Sequence, residues 1–136
     1  MQGRTRNTRV ALLQALMPAS VGEIELAATK VFMRDAGLLQ DVDEKRFNQR
    51  LEQMAGQLAE LDAVFSPYLN SRDLDELGHA ERAILRIATY ELTQTSVPRA
   101  VAINEWIEIA KDFGAENSFR FVNGILDQVA NAVRHE

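Results

Sequence analysis

The sequence predicts an all-α protein in which residues 1–136 form a single compact bundle of about seven helices. Apolar residues recur three and four positions apart along most of the chain, which is the spacing of helices that bury one face. No useful length of chain alternates apolar and polar residues, as a half-buried strand would. Only three prolines and seven glycines interrupt the chain, so we expect short loops between neighbouring helices.

Start and stop residues bound the first two predicted helices. The first covers about residues 8–17, because Pro18 cannot continue a helix. The second begins at Ser20, which has a capping-box spacing with Glu23, and ends near Gly37. Its predicted inward face consists of five apolar residues: Ile24, Ala27, Ala28, Val31 and Phe32.

The third helix is predicted to follow Asp43, which is a favourable N-cap residue. Its apolar stripe contains Phe47, Leu51, Met54, Ala55 and Leu58. A short fourth helix is predicted around residues 62–69. Pro67 and the polar segment 70–75 mark the break that follows it.

The last three predicted helices carry the clearest apolar faces. The fifth covers about residues 79–93, with a stripe of Ile84, Leu85, Ala88 and Leu92. The sixth has Pro98 near its first turn and Gly114 at its end, and it directs Ile103, Trp106, Ile107 and Ala110 to one side. The seventh starts at Asn117 or Ser118, and its face consists of Phe119, Val122, Leu126, Val129 and Val133.

Composition excludes several classes of protein. A chain of 136 residues is long enough to bury a sizeable core without covalent cross-links. The absence of cysteine excludes a disulfide framework, a zinc ribbon and a cysteine nucleophile. No apolar run approaches the length of a membrane span, and no secretory signal is recognisable at the N-terminus. We therefore expect a cytoplasmic protein without a membrane partner.

Residues for catalysis or metal binding are scarce. The two histidines, His79 and His135, have no metal-ligand spacing, and no glycine-rich phosphate loop or nucleophile elbow is present. The best acidic cluster is Glu105, Glu108 and Asp112 on the sixth helix. It is either an acid–base or metal site, or an ordinary solvated face. We predict no catalytic residue, no metal and no cofactor, and therefore no enzyme.

The net charge of −5 conceals an uneven distribution. A basic arm (residues 1–9) contains Arg4, Arg6 and Arg9 and no acidic residue. Arginine binds phosphates and stacks on bases, so the arm suits RNA, although a solvated, frayed tail is the alternative. Residues 60–81, the acidic segment, carry six acidic residues against Arg72. This segment suits a basic protein partner, or it stabilises the N-terminal turns of helices.

A second candidate for RNA contact lies at the start of the seventh helix. Arg120 and Phe121 are adjacent, and Phe121 is about 200° around the helix from Phe119. If Phe119 faces the core, Phe121 faces outward and is able to stack on a base. Alternatively, Phe121 packs under a neighbouring helix.

Five segments resemble the NusB family of bacterial transcription antitermination factors. Residues 101–105 and 109–114 are similar to its VAINE and AKxFG motifs, and residues 120–127 to its (K/R)FVNG(V/I)LD signature. Residues 81–92 are similar to its ERAILRIAxYEL helix, and residues 9–16 to its first helix. The segments occur in the family's order and span nearly the whole chain.

This resemblance implies an all-α bundle that binds the boxA element of single-stranded nascent RNA together with NusE, a small-subunit ribosomal protein. The pair joins the RNA polymerase elongation complex with other Nus factors on ribosomal RNA operons. Implied RNA-binding residues are Arg4, Arg6, Arg9, Met17, Arg120 and Phe121. Implied protein-binding residues are Tyr68, Asp75, Glu76 and Glu81.

The chain departs from the family pattern in the RNA-binding region. Its arm has fewer arginines than is usual, and Met17 stands where the family usually has tyrosine. Methionine stacks on a base less well than tyrosine, so both changes predict weaker RNA binding. Asn117 stands where the family often has aspartate. Because asparagine carries no negative charge, we expect it to repel an RNA phosphate less than aspartate does.

Two other functions remain open from the residues alone. One is a helical protein-interaction module or homodimer without an RNA role. The other is a stand-alone relative of the N-terminal domain of RNA cytosine methyltransferases, although the lack of cysteine argues against an active enzyme of that kind.

Overall fold

A computed structural model describes residues 2–19 and 24–134, and the side chains of residues 3–19 and 24–134. All regular structure within these ranges is helical, which confirms the predicted all-α class. The α-helices are α1 (Gln2–Leu16), α2 (Leu26–Asp35), α3 (Glu44–Ala55), α4 (Leu58–Phe65), α5 (His79–Gln94), α6 (Arg99–Phe113) and α7 (Ser118–Val133). Two 3₁₀-helices, Ser66–Tyr68 and Leu74–Glu76, connect α4 to α5. None of the described helices is long and apolar enough to span a bilayer.

The chain divides into two compact units, an N-terminal unit (Met1–Leu58) and a C-terminal unit (Ala59–Glu136). In the N-terminal unit α1 packs against α2 and α3, and α2 packs against α3. In the C-terminal unit α5, α6 and α7 pack against one another. That residues 1–136 form one domain stays a prediction.

The first helix begins earlier than the sequence predicts. Residues 2–7 of the basic arm are expected to precede it, but they form the first turns of α1. They contain no proline, and side-chain hydrogen bonds hold them against the segment before α3. Asn7 Nδ2 donates to the Asp41 carbonyl at 3.2 Å, and the Asp43 amide donates to Thr8 Oγ1 at 3.0 Å. The arginines of this region therefore occupy defined positions on a helix.

The predicted inward face of α2 is wrong. Val31 is 55% exposed and Phe32 is 59% exposed, whereas Met33 is fully buried. Lys30, one turn before Met33, forms an ion pair with Glu52 of α3. The side of α2 that carries Lys30 and Met33 therefore faces α3, and Val31 and Phe32 are left exposed. The predicted capping residues Ser20 and Glu23 lie outside the described residues, and Glu25 caps the helix instead.

Two local predictions in the N-terminal unit are confirmed. Gly37 follows α2 with a φ of 73°, the left-handed conformation that favours glycine. Asp43 caps α3, because its carboxylate accepts the Arg46 amide at 3.2 Å. The predicted stripe of α3 is buried except Ala55, which is half-buried: Phe47, Leu51, Met54 and Leu58.

The central helix of the C-terminal unit is α5, which packs against both α6 and α7. Its residues 80–92 are all buried except Arg82, so burial extends around the helix beyond the predicted stripe. Inside this unit the Trp106 indole donates to Glu91 Oε2 at 2.8 Å. The side chain of Arg134 donates to four carbonyl oxygens at the end of α5 and in the loop after it: Glu91, Leu92, Thr95 and Val97.

Other boundaries in the C-terminal unit differ slightly from the prediction. The predicted fourth helix is divided into α4 and the 3₁₀-helix Ser66–Tyr68, where Pro67 stops the α-helical hydrogen bonding. Gly114 ends α6 as predicted. Glycine is favoured there, because a Cβ atom would lie 2.9 Å from the Ala110 carbonyl oxygen, a backbone atom, and 2.1 Å from Ser118 Oγ.

Gly124 lies in the interior of α7, and the sequence suggested that another helix approaches it closely. That explanation is wrong, because a Cβ atom at Gly124 would meet nothing within 4 Å. We therefore expect Gly124→Ala to raise the free energy of unfolding by about 0.5–1 kcal/mol, since alanine restricts the unfolded chain and favours helix. Urea denaturation measures this, with Gly114→Ala as a destabilised comparison. A less stable Gly124→Ala variant would contradict it.

Candidate functional site

The three predicted RNA-binding arginines of α1 differ in accessibility. Arg4 is exposed, Arg6 is half-buried, and Arg9 is only 4% exposed. Met17 is half-buried in the turn after α1. Arg4 is therefore the arginine of this group that is most accessible to a ligand, and Arg9 belongs largely to the interior.

A polar cavity of about 200 Å³ lies where α1 and α3 begin. It is lined by Arg4, Thr5, Thr8, Asp43 and Arg46. Arg46 is exposed, and within the described chain neither its guanidinium group nor that of Arg4 pairs with a carboxylate. Two guanidinium groups outweigh the single carboxylate, so the cavity suits a phosphate group.

The ring of Phe121 is half-buried, and an arginine side chain lies over it. The guanidinium carbon of Arg72 lies 4.3 Å from its ring centroid, a cation–π contact. The guanidinium of Arg120 lies over Phe119 instead, with 5.7 Å between Arg120 Cζ and that ring centroid. Lys111 Nζ lies 5.3 Å from the same centroid. The start of α7 therefore presents two rings, each with cationic neighbours.

Part of the acidic segment is internal. Asp62 is buried and accepts two hydrogen bonds from Arg86, Nε to Oδ1 and Nη2 to Oδ2, both at 2.8 Å. Arg82 Nη2 also donates to Asp62 Oδ2 at 3.2 Å. This carboxylate is neutralised inside the C-terminal unit, so it is not part of an acidic surface.

Two of the predicted protein-binding carboxylates also cap helices. Glu76 Oε1 accepts the Asp73 amide at 2.7 Å, and Glu81 Oε1 accepts the Gly78 amide at 3.0 Å. The Glu81 side chain is only 11% exposed. These contacts agree with the alternative of stabilised helix N-termini, and they leave little of Glu81 for a partner.

Asp75 is the most accessible acidic residue of the predicted protein-binding set. Its side chain is 98% exposed, and its closest cation is Arg82, with 3.7 Å between Arg82 Nη1 and Asp75 Oδ1. Tyr68 is half-buried in the 3₁₀-helix that packs against α7. This packing holds the predicted protein-binding region next to the helix that carries Arg120 and Phe121.

The acidic cluster of α6 has the arrangement of a solvated face. Glu108 is exposed and forms an ion pair of 2.9 Å with Lys111 one turn later. Among the described residues, no three acidic, histidine or cysteine side chains are placed to hold a metal ion.

Comparison with known proteins identifies the family. A sequence model described as "NusB family" matches residues 6–131. The chain belongs to the NusB family. Its relatives include the transcription antitermination protein NusB of Yersinia pestis (strain Pestoides F) and that of Yersinia pseudotuberculosis (serotype O:1b, strain IP 31758). Each is 45% identical over 130 residues, covering 95% of this chain and 94% of the relative.

A solved structure of NusB from T. maritima supports the same fold. It matches with a TM-score of 0.72 and 34% identity, covering 93% of this chain and 89% of that one. The resemblance read from the motifs is thereby confirmed. This NusB-family chain is a transcription antitermination factor and not an enzyme.

Two candidate residues were not predicted for this NusB-family chain. Arg46 joins Arg4 at the polar cavity, and Arg72 covers the ring of Phe121. In the sequence Arg46 follows two other charged residues in a helix start, and Arg72 lies in an acidic segment. Neither arginine belongs to a recognisable sequence motif. Each is identified as a candidate binding residue only by the residues around it in the folded chain.

Proposed function

We propose that this protein binds single-stranded boxA-type RNA together with NusE and joins the cytoplasmic RNA polymerase elongation complex with other Nus factors on ribosomal RNA operons. The observation that carries the RNA part is the cavity that Arg4 and Arg46 line together. A phosphodiester accepts charge-assisted hydrogen bonds from both guanidinium groups.

RNA alone is expected to bind weakly. Arg4, Arg6 and Arg46 in the N-terminal unit and Arg120 in the C-terminal unit supply about four phosphate contacts. Each contact with a single strand contributes about 0.7 to the salt slope, so the slope of log K against log salt is near −3. We expect NusE to supply the additional contacts that make binding tight.

The exposed acidic residues suit the protein partner. Asp73, Asp75 and Glu76 are all exposed and lie in or next to the second 3₁₀-helix. A ribosomal protein is basic, because it binds RNA, and opposite charges accelerate association between proteins. We therefore assign this acidic surface to NusE.

Titration of labelled boxA RNA tests the cooperative part of the proposal. We expect the affinity of the full chain to increase when NusE is present, because two proteins then form one RNA-binding surface. Equal affinity with and without NusE would overturn cooperative binding. Failure to bind NusE at all would overturn the partner assignment.

Asp75→Lys is expected to weaken binding to NusE by roughly 5- to 10-fold, mainly through a slower association rate. Asp75 is a cleaner position for charge reversal than Glu81, because Glu81→Lys also removes the cap on α5. Surface plasmon resonance at two salt concentrations measures the effect. The control is Asp35→Lys, an exposed position on α2 with the same charge change. Equal effects of the two variants would contradict a specific contact.

A homodimer is the second candidate assembly. The observation that favours it is the exposed apolar pair Val31 and Phe32 on α2. Phe32 also lines an apolar cavity of about 350 Å³. Sedimentation equilibrium over a range of concentrations separates a homodimer from a monomer that awaits NusE.

A further inference from the structure

Arg72 lies in the segment between the two 3₁₀-helices, and the local backbone directs it toward α7. Asn70 has a φ of 60°, a left-handed turn residue, and the Arg72 amide donates to the Leu69 carbonyl at 3.2 Å. This tight turn fixes the point from which the Arg72 side chain extends over Phe121.

Two groups hold the guanidinium of Arg72. Its Cζ lies 4.3 Å from the Phe121 ring centroid, so the guanidinium group lies over the ring at cation–π distance. Its Nη2 lies 3.9 Å from Glu81 Oε1, an ion pair longer than a hydrogen bond. The Glu81 oxygen already accepts the Gly78 amide, so Glu81 orients Arg72 without saturating its donors.

Much of Arg72 is still accessible in this position. Its side chain is 41% exposed although Phe121 lies against it. A guanidinium group is planar and weakly hydrated, and it stacks on flat π-systems while it donates hydrogen bonds in its plane. A nucleobase meets both properties, since its face stacks and its edge accepts hydrogen bonds.

We propose that Arg72 is an RNA-contacting residue that stacks on one base, and that Phe121 is the positioning residue beneath it. This inference rests on the proposed RNA-binding function and deepens it. The chemistry recognised is a splayed base of single-stranded RNA, with its neighbouring phosphate attracted by the positive charge of Arg72. Phe121 acts through Arg72 and does not offer an open ring to the RNA.

Replacement of Arg72 tests the contact with a labelled single-stranded boxA-type RNA, in the presence of NusE. Arg72→Ala is expected to weaken binding roughly 5- to 100-fold, the usual range for loss of one stacked base. Arg72→Lys keeps the charge but not the planar group, so it is expected to lose most of that affinity while the salt slope is unchanged.

A double-variant comparison tests the positioning role of Phe121. We expect Phe121→Leu to weaken RNA binding in the wild-type background and to have no further effect when Arg72 is alanine. A merely structural role of Phe121 would give the same loss in both backgrounds and would overturn the positioning role.

Arg34 supplies the matched control. Like Arg72, it lies 3.9 Å from a glutamate, Glu44, but it makes no cation–π contact with a ring in the described part of the chain. Arg34→Ala and Arg34→Lys are expected to bind RNA as the wild type does. Circular dichroism and thermal melting of each variant test whether the fold is retained.

The outcomes separate this inference from the proposed function. If Arg72→Lys bound RNA with wild-type affinity, the stacking contact would be overturned, because the positive charge alone would then account for the affinity. Wild-type affinity of Arg72→Ala would overturn any RNA role of Arg72, while the proposed function stands. Absence of RNA binding by the wild-type chain, with and without NusE, would overturn both.

Discussion

Asp62→Ala is expected to lower the free energy of unfolding by about 3–5 kcal/mol, because it leaves a buried guanidinium without its carboxylate. The Arg86 side chain is 0% exposed, and both of its hydrogen bonds to Asp62 measure 2.8 Å. Arg82 loses a hydrogen bond to the same carboxylate. Urea denaturation followed by circular dichroism measures the loss.

Asp75→Ala is the matched control for this experiment. Asp75 also lies near Arg82, but its side chain is 98% exposed, so its loss is expected to cost less than about 1 kcal/mol. A second comparison, Asp62→Leu with Arg86→Met, replaces the whole pair with apolar groups and is expected to recover part of the stability. A loss below about 1 kcal/mol for Asp62→Ala would contradict the structural role of the pair.

The double variant Arg4→Ala, Arg46→Ala is expected to bind boxA-type RNA roughly 100-fold more weakly at physiological salt. The two side chains line the same cavity, and each charge-assisted hydrogen bond to a phosphate contributes about 1.5 kcal/mol. The salt slope is expected to fall in magnitude by about 1.4, since two phosphate contacts are lost. Fluorescence anisotropy at four salt concentrations measures both quantities.

A control with the same change in charge distinguishes site binding from general attraction. Lys45 lies next to Arg46 in the first turn of α3 but does not line the cavity, and Arg34 lies on α2. The variant Arg34→Ala, Lys45→Ala is therefore expected to bind RNA nearly as the wild type does. Equal losses in the two double variants would show that only net charge matters and would overturn the phosphate-site assignment.

Local signals predicted the fold class and many of the helix ends well. Asp43 caps α3 through its own side chain, and Gly37 takes a left-handed conformation. Such features depend on a few neighbouring residues, so the sequence contains all the information they need. The stripe of α3 was also predicted from spacing alone, because its apolar residues three and four positions apart fall on one face, and that face is buried.

The face of α2 and the start of α1 were not predictable in the same way. On α2, the Lys30–Glu52 ion pair and the burial of Met33 select the side that faces α3, and both depend on another helix. At the start of α1, the hydrogen bonds to Asp41 and Asp43 come from residues more than 30 positions away. The spacing of apolar residues within a single helix gives no information about these contacts with other parts of the chain.

The family, the helical class and the presence of a basic start and an acidic middle all follow from the order of the residues. Which of those charges are available to a partner depends on how the chain folds. Asp62, Glu81 and Asp75 are all acidic residues of one segment, yet the first is buried against Arg86, the second caps α5, and the third is exposed. Composition records that a charge exists, whereas burial and neighbours decide whether it stabilises the protein or is free to bind another molecule.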